Sequence, residues 1–215
     1  MTDSGLTTAQ LITLGRDREA VALATRTPFG GTMNGAQQLG VVIPLLRDIV
    51  AGIAPDQLDE ATPCKDFTVT GVLEHMISGA TTFAPAFRGT TGSTLTEGGT
   101  VVERWSAAIA ELLAAVQSPG ALERTIASPF GEVSGDAFAR YVAFDGLVHG
   151  WDLSIGTAQG YAPPIDLVEQ VDTYARGLIA APMRDGDTFA AETKPGPGAS
   201  AIERLVAFSG REVAA

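Results

Sequence analysis

The side chains that most often build cross-links and sites are scarce in this sequence: one cysteine, Cys64, and two histidines, His75 and His149, among 215 residues. A single cysteine cannot close an internal disulfide, which fits a reducing compartment. Its sulfur remains available as a ligand or nucleophile. Lys and Arg number 14 against 25 Asp and Glu, a formal net charge of −11. Affinity for a phosphate backbone comes from clustered cations that release counterions, and no such cluster occurs, so no nucleic-acid partner is expected. No apolar run reaches the roughly 18 residues that span a bilayer. The opening MTDSGLTTAQ has neither the basic n-region nor the apolar h-region of a signal peptide. The expectation is a soluble, cytoplasmic protein with no membrane partner.

What is present is globular. Hydrophobic residues make up 45% and charged residues 18%, far from the composition of disordered chains. The length suits one domain with a sizeable core. Residues 1–33 read as an N-terminal helical extension, helical in composition from about Thr8 to Ala24 and broken by the Gly-rich PFGGTMNG. The rest, 34–215, reads as the main domain. Apolar residues at helical spacing predict a first bundle helix over 36–53, with Pro44 either kinking it or marking its regular start. A second follows Thr68, a candidate N-cap, and runs from Val69 to about Phe87. A third covers 101–116, and a fourth runs from Asp136 to about Ile155. Between these two, Ala121 to Gly135 reads as a loop with two short extended pieces. Pro164 and Asp166 open a further helix to about Ala180, and a last short helix spans 201–208. No solenoid-period repeat occurs, and the fold class is all-α, most economically a bundle.

The fourth helix carries the chemistry. At about 100° per residue, Asp145, His149 and Asp152 fall on one stripe, flanked by Tyr141, Val142, Val148 and Leu153. A carboxylate held among apolar side chains must be paired, protonated or bound to a metal, and Arg140 projects to the far side of the helix. A divalent ion is the simplest compensation; an Asp–His hydrogen bond without a metal is the alternative. A carboxylate and a histidine four residues apart share one side of a turn, and His75, on the second helix among small neighbours, offers a third ligand. Asp152 reads as a residue that orients an imidazole. Cys64 either gains thiolate character near a helix N-terminus or serves as a buried structural sulfur. Trp105 and Trp151 read as packing aromatics, and GGTMNG and PGPGAS lack the βαβ context of a phosphate loop.

Two phrases resemble a known family. ATPCKDFTVTGVLEHMISGA is similar to the T-P-C-x-x-W-x-V-x-x-L-x-x-H opening of mycothiol-dependent maleylpyruvate isomerase metal-binding domains, and FDGLVHGWDLSIGTAQG resembles their carboxylate-x-x-x-H-x-W-D-L signature. The tail AIERLVAFSGRE is similar to the closing segment of single-domain actinobacterial relatives. The likeness covers roughly residues 35 to 212. It implies a DinB/YfiT-like four-helix bundle, here with additional short helices, and one divalent ion, usually zinc, held by His75, Asp145 and His149. Asp145 stands where the family has Glu, and Phe67 where it has Trp. Nickel, iron or manganese would suit the same donors.

The activity implied is that of a transferase or isomerase in which the ion activates a small-molecule thiol, mycothiol as cosubstrate, toward an electrophilic substrate. Asp152 would lie behind an imidazole, and Cys64 and Trp151 beside a substrate pocket. Maleylpyruvate isomerisation itself is not expected, because the family's isomerase draws a catalytic arginine from a C-terminal domain not represented here. The alternatives are a metal-dependent hydrolase with Asp152 as general base, and a non-catalytic metal-stabilised binding or stress-response module. A homodimer is the expected assembly.

Overall fold

A computed structural model describes residues 31–92, 98–128, 131–179, 183–184 and 189–213. The expected N-terminal helical extension lies outside the described residues except for its last three. Of those, Met33 is buried in the core and its N–H donates to Gln170 Oε1 at 2.8 Å.

Each main helix starts where a side-chain oxygen can satisfy a free N–H of the first turn. Helix α1, Gly35–Ala51, begins at Asn34, whose side chain accepts the Gln37 N–H while Gln37 returns a bond to the Asn34 N–H, both at 2.9 Å. Thr68 caps α2, Val69–Arg88, and Thr100 and Glu103 form a reciprocal box on α3, Val101–Val116. A hairpin of β1, Thr125–Ser128, and β2, Gly131–Ser134, realises the two extended pieces. Ser134 then caps α4, Gly135–Gly156. Helix α5 is Ile165–Leu178, and α6, Ala201–Phe208, opens on a Ser200–Glu203 box. The sequence places the starts of α1 and α4 one residue late, because Gly35 and Gly135 read as breakers. In a first turn a glycine costs little when Asn34 or Ser134 supplies the cap. Helix α1 continues on both sides of Pro44.

The chain is an all-α bundle with one small hairpin, built from two intimate helix pairs, α1 on α4 and α2 on α3. Helix α4 touches α2 far less. Glycine makes the first pair close: a Cβ on Gly146 would stand 2.9 Å from Val42 Cγ1, and one on Gly150 would stand 3.1 Å from Leu46 Cδ2. The second pair is tied by the ion pairs Arg104–Glu74 and Arg88–Glu111, partly exposed and so modest in energy. Residues 146–154 of α4 are buried without a break, as expected of a helix surrounded by others. Helices α5 and α6 complete that enclosure, with Leu167, Val171, Leu205 and Val206 in the same hydrophobic core. No helix among the described residues is long and apolar enough to cross a membrane.

Among the described glycines, Gly135 is the most tightly enclosed. A Cβ there would sit 1.9 Å from the carbonyl oxygen of Ala121, a backbone atom that cannot swing aside, whereas nothing lies within 4 Å of a Cβ on Gly160. Gly135→Ala is therefore expected to lower unfolding free energy by roughly 1–3 kcal/mol, and Gly160→Ala to stay within about 0.5 kcal/mol of the parent. Urea denaturation of the two variants checks the contrast.

Candidate metal centre

Helices α2 and α4 face each other across the gap between the pairs, and His75 and His149 meet there with ring centroids 4.8 Å apart. Asp145, one turn before His149 on α4, brings Oδ1 to 3.5 Å from His149 Nε2. One donor atom from each of His75, Asp145 and His149 lies within 4.8 Å of the other two. Ligand bonds of about 2.1 Å to a tetrahedral ion place ligand atoms about 3.4 Å apart. The Asp145–His149 separation already meets that, and two imidazoles with one carboxylate are a donor set suited to zinc and its neighbours. The residues fit a divalent ion.

Asp152 lies behind His149. Its carboxylate is fully enclosed, with Oδ2 3.0 Å from His149 Nδ1, and it is clasped by Arg211 through Nε to Oδ1 at 3.2 Å and Nη2 to Oδ2 at 2.8 Å. The guanidinium supplies the counter-charge for this buried carboxylate, which on its other side accepts the Nδ1–H of His149 and turns Nε2 toward Asp145 and His75. Arg211 reaches the site through a turn at Gly210, whose φ of 99° is left-handed and where a Cβ would meet Ala190 Cβ at 2.7 Å. The Arg211 N–H donates to Val206 O at 3.0 Å, and its own carbonyl accepts the Thr193 hydroxyl.

This corrects the sequence argument for a metal. Asp152 needs no ion, because its counter-charge arrives from 59 residues away rather than from its own helix. Asp145 is less buried than the helical projection implied, its side chain being 33% exposed on a cavity wall. Arg140 does point elsewhere, pairing with Asp136 at 2.9 Å. The enclosure and double engagement of Asp152 also remove it as a general base for the hydrolase alternative. A second grouping of donors, Cys64, His149 and Asp152, shares the same histidine. There the Asp152 carboxylate already holds a cation and the His149 Nδ1 proton, so the His75, Asp145, His149 set is the better site.

Cys64 lines the cavity, half-buried, and burial pushes its thiol up to about 11 despite the nearby Arg211 charge. Burial thus favours the thiol, the buried-sulfur reading, over a helix-terminus thiolate. Trp151, expected beside the pocket, is a buried core residue outside the cavity lining. Alternate faces of α4 explain this: two residues beyond His149, its ring is turned about 200° away. Sequence reasoning missed Arg211. Its signal was a Ser-Gly-Arg run closing the last helix, visible as a C-terminal turn but not as a charge aimed at α4.

Electrostatics separate the two histidines. Burial holds His75 below its ordinary value, outweighing the pull of Asp145, so it is neutral at pH 7. Burial also works against protonated His149, but Asp145 and Asp152 outweigh it and raise the imidazole to about 9. Burial likewise opposes ionised Asp145, yet His149 and then His75 hold its carboxyl below the usual range.

Comparison with known proteins places the chain in a family. Residues 43–154 match the family described as the mycothiol maleylpyruvate isomerase N-terminal domain. The uncharacterized proteins Rv0738 and MT0763, from two strains of Mycobacterium tuberculosis, are each 30% identical over 175 residues, covering 77% of this chain and 91% of the relative. No solved structure matches. A helical bundle with a His, Asp, His cluster between two of its helices is the class of protein defined here. The chain belongs to the mycothiol maleylpyruvate isomerase N-terminal domain family, and the matched stretch contains His75, Asp145, His149 and Asp152 but not Arg211.

Two outcomes follow. In the metal-free protein the raised His149 contributes stability that is fully present below its ordinary 6.5 and is lost as pH rises through about 9. Because an ion must displace that proton, apparent zinc affinity should rise about tenfold per pH unit from neutrality to about 9 and then level off, measured by competition with a chelator. Separately, Arg211→Met leaves a buried carboxylate without its cation. It should cost roughly 3–5 kcal/mol in urea unfolding, whereas Lys65→Met, at an exposed position, stays within about 0.5 kcal/mol.

Proposed function

We infer that this protein is a metal- and thiol-dependent transferase or isomerase, in which His75, Asp145 and His149 hold one divalent ion, zinc first among the candidates. When bound, the ion supplies Lewis acidity that keeps a small-molecule thiol in its nucleophilic thiolate form near neutral pH. Family membership supports mycothiol as that thiol. The observation that carries the reading is that all three donors border one cavity of about 660 Å³, so a ligand can approach the ion directly.

The chain's own residues have distinct tasks in this reading. Asp152 orients His149 and fixes its Nδ1 proton, so that Nε2 is the coordinating atom. Arg211 holds the Asp152 carboxylate through two hydrogen bonds and prevents it from turning toward the cavity. Neutral His75 coordinates without first losing a proton. The single Cys64, protonated by its burial, does not compete with the added thiol as nucleophile. A closed structural metal centre is less favoured, because three donors bordering a cavity leave coordination positions free.

Metal analysis by plasma mass spectrometry, on protein purified without a His-tag, tests this. About one divalent ion per chain should be found, retained in Cys64→Ser and lost in His149→Ala and Asp145→Ala. Turnover of a test electrophile should require added thiol. Wild-type protein that stays metal-free after zinc addition would refute the reading, and activity independent of thiol would favour hydrolysis.

A further inference from the structure

The cavity is strongly two-ended. One end carries the candidate ligands together with Cys64 and the cations Lys65 and Arg211. Lys65 is exposed at the rim, and Arg211 is already committed to Asp152. From there the space runs into the bundle interior along α2, past Met76 and Ala80 to Phe83. The eight residue steps from His75 to Phe83 span about 12 Å of helix. On α4 the wall runs the same distance, from His149 back to Tyr141. Leu39 and Ile43 of α1 and Ile109 and Leu112 of α3 close the inner end. None of these four carries a polar side-chain atom, and each is at least 97% buried. This depth exists because α2 and α4 touch only sparsely, while each packs closely against its own partner.

A small dicarboxylate could meet the ion but would leave these apolar walls facing water, and among the described residues that line the inner part no cation stands ready to receive its second charge. A pocket of a few hundred Å³ that is apolar with polar groups at one end suits a drug-sized ligand of the same polarity. We propose that the second substrate of this site is amphipathic: an apolar chain or ring system lies along α2 and α4, and one polar, reactive end reaches His75, Asp145 and His149. The polar thiol then occupies the mouth, beside Lys65 and Asp66. This rests on the metal-site reading for its polar end and on the cavity walls alone for its apolar body.

A homologous series of alkyl hydroxamates separates the two. Acetohydroxamate probes the ion with almost no chain, and butano-, hexano- and octanohydroxamate add apolar length to the same head group. Titrated calorimetrically into the zinc-loaded full chain, affinity should improve about threefold to fourfold per methylene. Ala80→Phe, which brings a larger side chain into the cavity, should reduce that gain to less than about twofold per methylene. Leu112→Phe, narrowing the space from α3, is the second variant should the first fail to fold, as judged by circular dichroism. Affinity independent of chain length, or a full gain retained in a folded variant, would overturn the amphipathic substrate while leaving the metal site standing. Failure of acetohydroxamate to bind, with a chain-length gain that is the same in metal-free protein, would do the reverse.

Discussion

A carboxylate with no solvent exposure has to be neutralised by its neighbours, and the way Asp152 meets that requirement organises the rest of the molecule. Its two oxygens are divided between a guanidinium from the chain's last turn and an imidazole one turn back on its own helix. The first partner fixes where the segment after α6 must dock. The second fixes the tautomer and the aim of His149. A residue outside the cavity lining thus sets the direction in which His149 Nε2 points, and two parts of the sequence 59 residues apart are joined through one side chain.

The second constraint is geometric. Glycines at 146 and 150 let α1 settle closely on α4, and α2 and α3 form their own close pair. The unequal contact between the pairs leaves space where two histidines face each other, and polar donors can exist there without being sealed into the core. The family match spans this frame, from the second half of α1 through α4. The hairpin joins α3 to α4 at the opposite end from the candidate ligands: its β2 strand leads directly into the first turn of α4, while Asp145 and His149 lie in that helix's second half.

Much of this was legible in the sequence, for local reasons. Helix positions followed from apolar periodicity and from caps such as Thr68 and Thr100, each of which acts within its own first turn. The juxtaposition of Asp145 with His149 followed from helical geometry, and His75 was the one remaining imidazole. What stayed hidden was long-range. The charge that meets Asp152 comes from a different element, so a search confined to the faces of α4 could not find it and credited too much to a metal. Trp151 was placed by a motif rather than by angle, and angle decides which face a side chain occupies. The apolar end of the cavity was invisible for a different reason: Leu39, Ile43, Ile109 and Leu112 look the same in sequence whether they face one another or a void.

The turn at Gly210 ties the candidate site between α2 and α4 to the anchorage of a peripheral element. Helix α6 is only two turns long and holds its place through Leu205, Val206 and the Arg211 clasp. Fraying of this segment withdraws the guanidinium from Asp152 and loosens the aim of His149. By reciprocity, whatever occupies the centre between α2 and α4 holds α6 down. Slow amide exchange in that short helix would then report on events at the far side of α4, making the periphery of the bundle a gauge of its interior.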